Sequence, residues 1–148
     1  MITRARRVVS KAVAAPVATI AGLAVLPPLH YLLVSGRLQT ATLVEAVEAR
    51  TNPQGNDQEA GQKIADAIYL GARLWRLDDT SCVARSVMCW ALCRQQGIDA
   101  VVQIGMAPEA RKAHAWVEVG GAPIDDTPDV SKRYLPFDRA LTDRARGQ

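Results

Sequence analysis

Thr80-Ser81-Cys82 sets a cysteine at the point where a helix-compatible run begins. At the first turn of a helix, unpaired backbone N–H groups and the positive end of the dipole favour a thiolate, the form of the thiol that attacks carbonyl carbon. Cysteine is also a small apolar side chain suited to a core. Cys89 and Cys93 lie further along the same run, beyond the reach of the dipole, and are assigned to the core. The second reactive group is His114 in Ala113-His114-Ala115-Trp116-Val117-Glu118. Alternation along a strand sends His114, Trp116 and Glu118 to one face. Gly120-Gly121 then folds the chain back, so that Ile124, Asp125 and Asp126 run beside the histidine. A carboxylate there would fix the imidazole tautomer and stabilise its charged form, completing a nucleophile, base and orienter. Either aspartate could serve, because neighbouring residues face opposite ways and the register is not fixed by the sequence. Glu118 lies four residues along the strand, about 13 Å from His114, and is out of reach. A zinc site built from Cys82, Cys89, Cys93 and His114 is the chemical rival, but spacings of seven and four within one helix are not the paired knuckle of structural zinc.

The elements that must position these groups follow from periodicity and turn chemistry. Residues 39–50 read as a short helix, and Asn52-Pro53-Gln54-Gly55-Asn56 as a loop that marks a boundary between residues 1–50 and 51–148. Over residues 58–76, Ala60, Ile64, Ile68, Ala72 and Trp75 recur at helical spacing behind Asn56 or Asp57 as cap. Residues 77–81 break the pattern and supply caps for a helix over 82–96, which Gly97 ends. Residues 100–106 and 114–119 read as strands, and 123–125 as a short third strand after the diglycine hairpin. With aromatic residues at 5%, the core must rest on Val, Leu, Ile and Ala, with the tryptophans at packing centres. The fold class is therefore α+β, a nucleophile-bearing helix packed on a small antiparallel sheet.

The formal charge of +3 is mild, and no Lys/Arg cluster is interleaved with aromatics, which argues against a nucleic-acid groove. Basic residues gather at the two ends, Arg4, Arg6, Arg7 and Lys11 and then Arg139, Arg144 and Arg146. Residues 12–36 carry no formal charge, a run long enough to span a bilayer. Pro16, Pro27-Pro28 and His30 argue instead for two short apolar helical pieces with a break between them. These would pack on the protein, dock a partner or touch a membrane; an anchor and a secretory signal are the alternatives. Placing the basic cluster inside would put three free thiols outside the cytoplasm, so a reducing, cytoplasmic location is expected, membrane-associated if 12–36 meets a bilayer.

Taken in order, Cys82-Val83-Ala84-Arg85-Ser86-Val87, Arg94-Gln95-Gln96-Gly97-Ile98-Asp99-Ala100, Gln103-Ile104-Gly105 and Ala113-His114-Ala115-Trp116-Val117-Glu118 resemble the leader peptidases of lasso-peptide biosynthesis, which are transglutaminase-like, papain-like cysteine peptidases. The likeness covers about residues 75–140. It implies a Cys-His-Asp triad of Cys82, His114 and Asp126, with Asp126 favoured over Asp125 because Asp126-Thr127-Pro128 looks like the family's Asp before a turn. It further implies hydrolysis of one peptide bond in a leader–core precursor without metal or organic cofactor. The implied partners are a separate leader-recognition protein, since no segment reads as a recognition domain, and an ATP-dependent lasso cyclase that closes the macrolactam. Arg85 and Ser86 resemble a recurrent Arg-Ser pair and are read as supporting the site, with substrate contact by Arg85 as the alternative. Trp75 and Arg76 stand where papain-like enzymes carry an oxyanion donor, but no glutamine is there and the role stays open. Two other functions compete: an acyl- or amine-transferring enzyme of the same fold, and a membrane-tethered scaffold without catalysis.

Overall fold

The structure, a computed structural model, describes residues 15–145. Residues 1–14, including the basic Arg4, Arg6, Arg7 and Lys11 and the first three residues of the expected 12–36 arm, lie outside the described residues, as does Arg146. The elements are α1 (Pro16–Val34), α2 (Thr40–Glu48), α3 (Gln58–Leu74), α4 (Cys82–Gln95), β1 (Ala100–Ala107), β2 (Lys112–Val119), β3 (Ala122–Pro123), α5 (Val130–Arg133), β4 (Leu135–Pro136) and α6 (Leu141–Ala145). The strands form one antiparallel sheet in the order β3-β2-β1-β4. The fold is α+β, as the periodicities imply.

The break expected at Pro27-Pro28 is not a break. Residues 16–34 form one helix whose middle turn, Ala21–Val25, is π-helical. A proline inside a helix lacks the N–H for the carbonyl four residues earlier and crowds it; a widened turn relieves that clash. For Pro27 that carbonyl belongs to Leu23, and the Trp75 indole Nε1 donates to it at 2.8 Å. Trp75 therefore leaves the buried stripe to which spacing assigned it: it follows α3 as its C-cap and is 55% exposed. Helix α1 crosses α3 where Gly22 meets Gly71, and a Cβ at Gly71 would lie 2.8 Å from the Gly22 Cα. By length and composition α1 could cross a membrane, with a window of mean hydropathy 1.8. It also contributes the fully buried Leu26 to the core.

Helix α3 begins where Asp57 Oδ1 accepts the Ala60 N–H at 3.0 Å, the cap its sequence called for. It buries Ile64, Ile68 and Ala72 and packs between α1 and α4. Helix α4 is the central element. It packs on α3 and α1 on one side and on β1 and β2 on the other, so Ala84, Val87, Met88, Cys89, Trp90 and Cys93 are all buried. The 52–56 loop is pinned to its end, where Gly55 N donates to Gly97 O at 2.9 Å and Asp99 N to Gly55 O at 2.6 Å. Strands β1 and β2 pair along their whole length, His114 opposite Gly105. Both hairpin glycines have positive φ, 58° at Gly120 and 79° at Gly121, the requirement of the tightest two-residue turn. The third strand is shorter than expected because the chain turns away after Pro123, leaving Asp125 and Asp126 in a bend. Three elements without a sequence expectation, α5, β4 and α6, return the chain across β1, with Leu135 opposite Met106 and Pro136 opposite Gly105.

Candidate active site

Cys82 is the first residue of α4, and how that helix starts matters to its sulfur. Ser81 occupies the cap position, but its hydroxyl donates to the Leu77 carbonyl at 2.5 Å and makes no cap bond to the helix. The first-turn N–H groups of α4 are thus left without a side-chain acceptor, and their partial positive charge stays directed at the sulfur and what it attacks. The structure brings Cys82 together with His114 from β2 in the wall of one cavity, with the imidazole near enough to lower the thiol's pKa. On the far side of the imidazole, Nε2 lies 2.6 Å from Asp126 Oδ2. With Nε2 taken by the carboxylate, Nδ1 is the nitrogen left for the sulfur.

Charges on the three groups are mutually reinforcing. Burial pushes the Cys82 thiol up, but the hydrogen bond from His114, the Ala115 backbone N–H and the charges of His114 and Arg85 outweigh it and bring the thiol below its ordinary value. The hydrogen bond to Asp126, and after it the one to Cys82, lifts His114 from 6.5 to about 9. Burial would raise Asp126 as well; the bonds from His114 and the Thr127 backbone N–H, with the charges of His114 and Arg133, instead hold it down at about 2. At neutral pH the arrangement favours an imidazolium at His114 beside a carboxylate at Asp126, and both His114 and Arg85 shift Cys82 toward its thiolate.

Asp126 is held from behind. Its Oδ1 accepts the Thr127 N–H at 2.7 Å and Arg133 Nη2 at 2.9 Å. The ring of Tyr134 lies 4.6 Å from that of His114, and Trp116 6.3 Å from it in stacked orientation, which limits rotation of the imidazole. Trp116 shares the histidine's face, as alternation requires, and donates to Glu118 Oε1 at 2.9 Å. Arg133 and Tyr134 carried no sequence expectation. The turn Asp126-Thr127-Pro128-Asp129 was the available signal, because it starts the short helix α5 that returns Arg133 to Asp126.

Asp125 faces elsewhere, accepting Val117 N–H and the Ser86 hydroxyl. Arg85 lies with its guanidinium over the Tyr69 ring at 5.1 Å. Neither Trp75 nor Arg76 lines the cavity in front of Cys82, and the Trp75 donor is spent on Leu23. That cavity measures about 530 Å³ and exposes Cys82, His114, Arg85 and Tyr69, with Asp78 and Asp79 among its other lining residues. Cys89 and Cys93 are buried in the core, where Cys89 is pushed well above its ordinary value by a hydrogen bond to Cys93 and by burial. Among the described residues no group of three or more His, Cys, Asp or Glu is placed to hold a metal ion.

No curated protein and no solved structure matches the chain. A family model described as Transglutaminase-like superfamily matches residues 23–138, a span that starts within α1 and takes in every element up to β4, and the chain belongs to that superfamily.

Proposed function

We propose that this chain is a cysteine peptidase that removes the leader from a ribosomally made lasso-peptide precursor. Members of its superfamily are generally cysteine hydrolases or transferases. The observation that carries the reading is His114, held by Asp126 at 2.6 Å, lining the same open cavity as Cys82 at the start of α4. The order of motifs over residues 75–140 supplies the choice of substrate.

In this reading the Cys82 thiolate attacks the scissile carbonyl and a C–S bond forms. The oxyanion of the tetrahedral intermediate is met by the Cys82 backbone N–H at the uncapped start of α4. His114 Nδ1 gives its proton to the leaving amine, the C–N bond breaks, and a thioester remains. His114, neutral again, takes a proton from water as the water adds to the thioester carbonyl; the C–S bond then breaks, the acid product leaves, and Cys82 is restored as thiolate beside protonated His114. Asp126 keeps the Nε2 proton and the ring orientation throughout. A separate leader-recognition protein presents the precursor, the apolar residues 1–50 serve as its docking arm or touch a membrane, and an ATP-dependent cyclase takes the freed core.

Mixing the chain with precursor and recognition protein and weighing the products tests this. Leader and core whose masses sum to precursor plus one water support the peptidase. Amine adducts of the acyl fragment would assign a transferase instead. Undiminished processing by Cys82→Ala would remove the nucleophile and the proposal with it, and equal rates with and without the recognition protein would remove the partner.

A further inference from the structure

Residue 125 stands beside the triad without belonging to it, and its two carboxylate oxygens reach two different elements. Oδ2 accepts the Ser86 hydroxyl of α4 at 2.9 Å. Oδ1 accepts the Val117 backbone N–H of β2 at 2.6 Å. Ser86 is one helical turn past Cys82, and Val117 lies three residues along the strand from His114. The Val117 N–H needs an acceptor because β3 pairs only through Glu118–Pro123 and Val119–Ala122 before the chain turns away. The neighbouring Ile124 N–H donates to Val117 O at 3.0 Å, so backbone and side chain together dock the 124–125 segment on β2. The next residue is Asp126, whose approach to His114 starts from that anchored point.

We propose that Asp125 is a positioning residue, a clamp that fixes the nucleophile helix, the histidine strand and the Asp126 bend relative to one another. This rests on the reading of Cys82, His114 and Asp126 as the working triad. Hydrogen-bond geometry limits how far such contacts can stretch before they weaken steeply. With both acceptors in one rigid carboxylate, α4 and β2 cannot slide apart without losing a bond. Cys82 and His114 stand on the same two elements, so the clamp sets the span between sulfur and imidazole. The requirement is for two contacts at fixed spacing, which an asparagine meets: its Oδ1 accepts from Val117, and its Nδ2 donates to the Ser86 oxygen.

The test needs no substrate. The rate at which iodoacetamide alkylates Cys82, located by peptide mass, is followed from pH 5 to 10 in wild type, Asp125→Ala, Asp125→Asn, Ser86→Ala and His114→Ala, at a temperature where circular dichroism shows native helix content. Loss of alignment moves the imidazole away from the sulfur, so the Asp125→Ala rate at pH 6 falls about tenfold or more and the profile moves toward that of an ordinary thiol. Ser86→Ala falls about threefold or more, and Asp125→Asn stays within about threefold of wild type. A folded Asp125→Ala with the wild-type profile overturns the clamp, as does Asp125→Asn impaired as badly as alanine. Should Asp125→Ala fail to fold, an unchanged profile in folded Ser86→Ala overturns it alone. His114→Ala separates the two levels: an unchanged profile there sinks the triad itself, whereas a lost thiolate there with an unchanged clamp variant sinks only this inference.

Discussion

Replacing Asp126 by asparagine is a more searching perturbation than its near-identical shape suggests. The Oδ1 side of the carboxylate accepts the Thr127 N–H and hydroxyl and Arg133 Nη2, and neither the N–H nor the guanidinium can be satisfied by an amide NH₂. The new amide in Asp126→Asn would therefore keep its oxygen toward Thr127 and Arg133 and turn its NH₂ toward His114 Nε2. Nε2 would have to accept, the ring proton would move to Nδ1, and the nitrogen facing Cys82 could no longer take the thiol proton. The electrostatic loss points the same way. The rise of His114 from 6.5 to about 9 corresponds to on the order of 3 kcal/mol in favour of the imidazolium, and the bond to Asp126 is its largest source. Wrong tautomer and weakened ion pair together are expected to lower kcat by on the order of 10³–10⁴, with KM little changed. Steady-state cleavage of a precursor, alongside the His114 titration followed by its ring proton resonance, measures both effects. Turnover within tenfold of wild type, or a His114 that still titrates near 9 in Asp126→Asn, would refute the reasoning.

In wild type the alkaline limb of kcat/KM should fall near pH 9, where His114 loses its proton, and an alkaline limb near 6.5 would show that the histidine is not so held. Burial raises Asp125 to about 6 against the bonds from Val117 and Ser86, so its ionisation opposes folding. The folded pKa lies above the ordinary 3.8, so that group's contribution to stability is complete below 3.8 and is lost as pH rises through about 6. Asp125→Asn should consequently gain roughly 1–3 kcal/mol over wild type at pH 7.5 and lose that advantage near pH 3.5, read by urea denaturation; a gain at pH 3.5 equal to that at 7.5 would contradict this. Gly71→Ala should cost roughly 1–3 kcal/mol, since its Cβ would meet the Gly22 backbone at the α1–α3 crossing, and a thermal melt unchanged from wild type would show that the crossing tolerates it.

How much of this was legible beforehand depends on how local each cause is. Cys82 at a helix start, His114 beside Trp116 on a strand face, the diglycine hairpin and the Asp57 cap all follow from interactions within a few residues, and periodicity with turn chemistry reads such causes directly. The sequence also narrowed the carboxylate to Asp125 or Asp126. Only the tertiary structure assigned their separate contacts, because the orientation of neighbouring residues in a bend depends on what docks against it: Val117 and Ser86 draw in Asp125, and His114, Thr127 and Arg133 gather Asp126. The prolines of α1 look like a helix break until the Trp75 indole, fifty-two residues away, supplies the donor that the Leu23 carbonyl has lost. Two-residue β4 and four-residue α5 are too short to carry a period, and exist because β1 offers an edge and Asp126 offers a partner for Arg133. Local physics set which groups are present and which element bears each; long-range hydrogen bonds, made only once α4 meets the sheet, decided which of them meet.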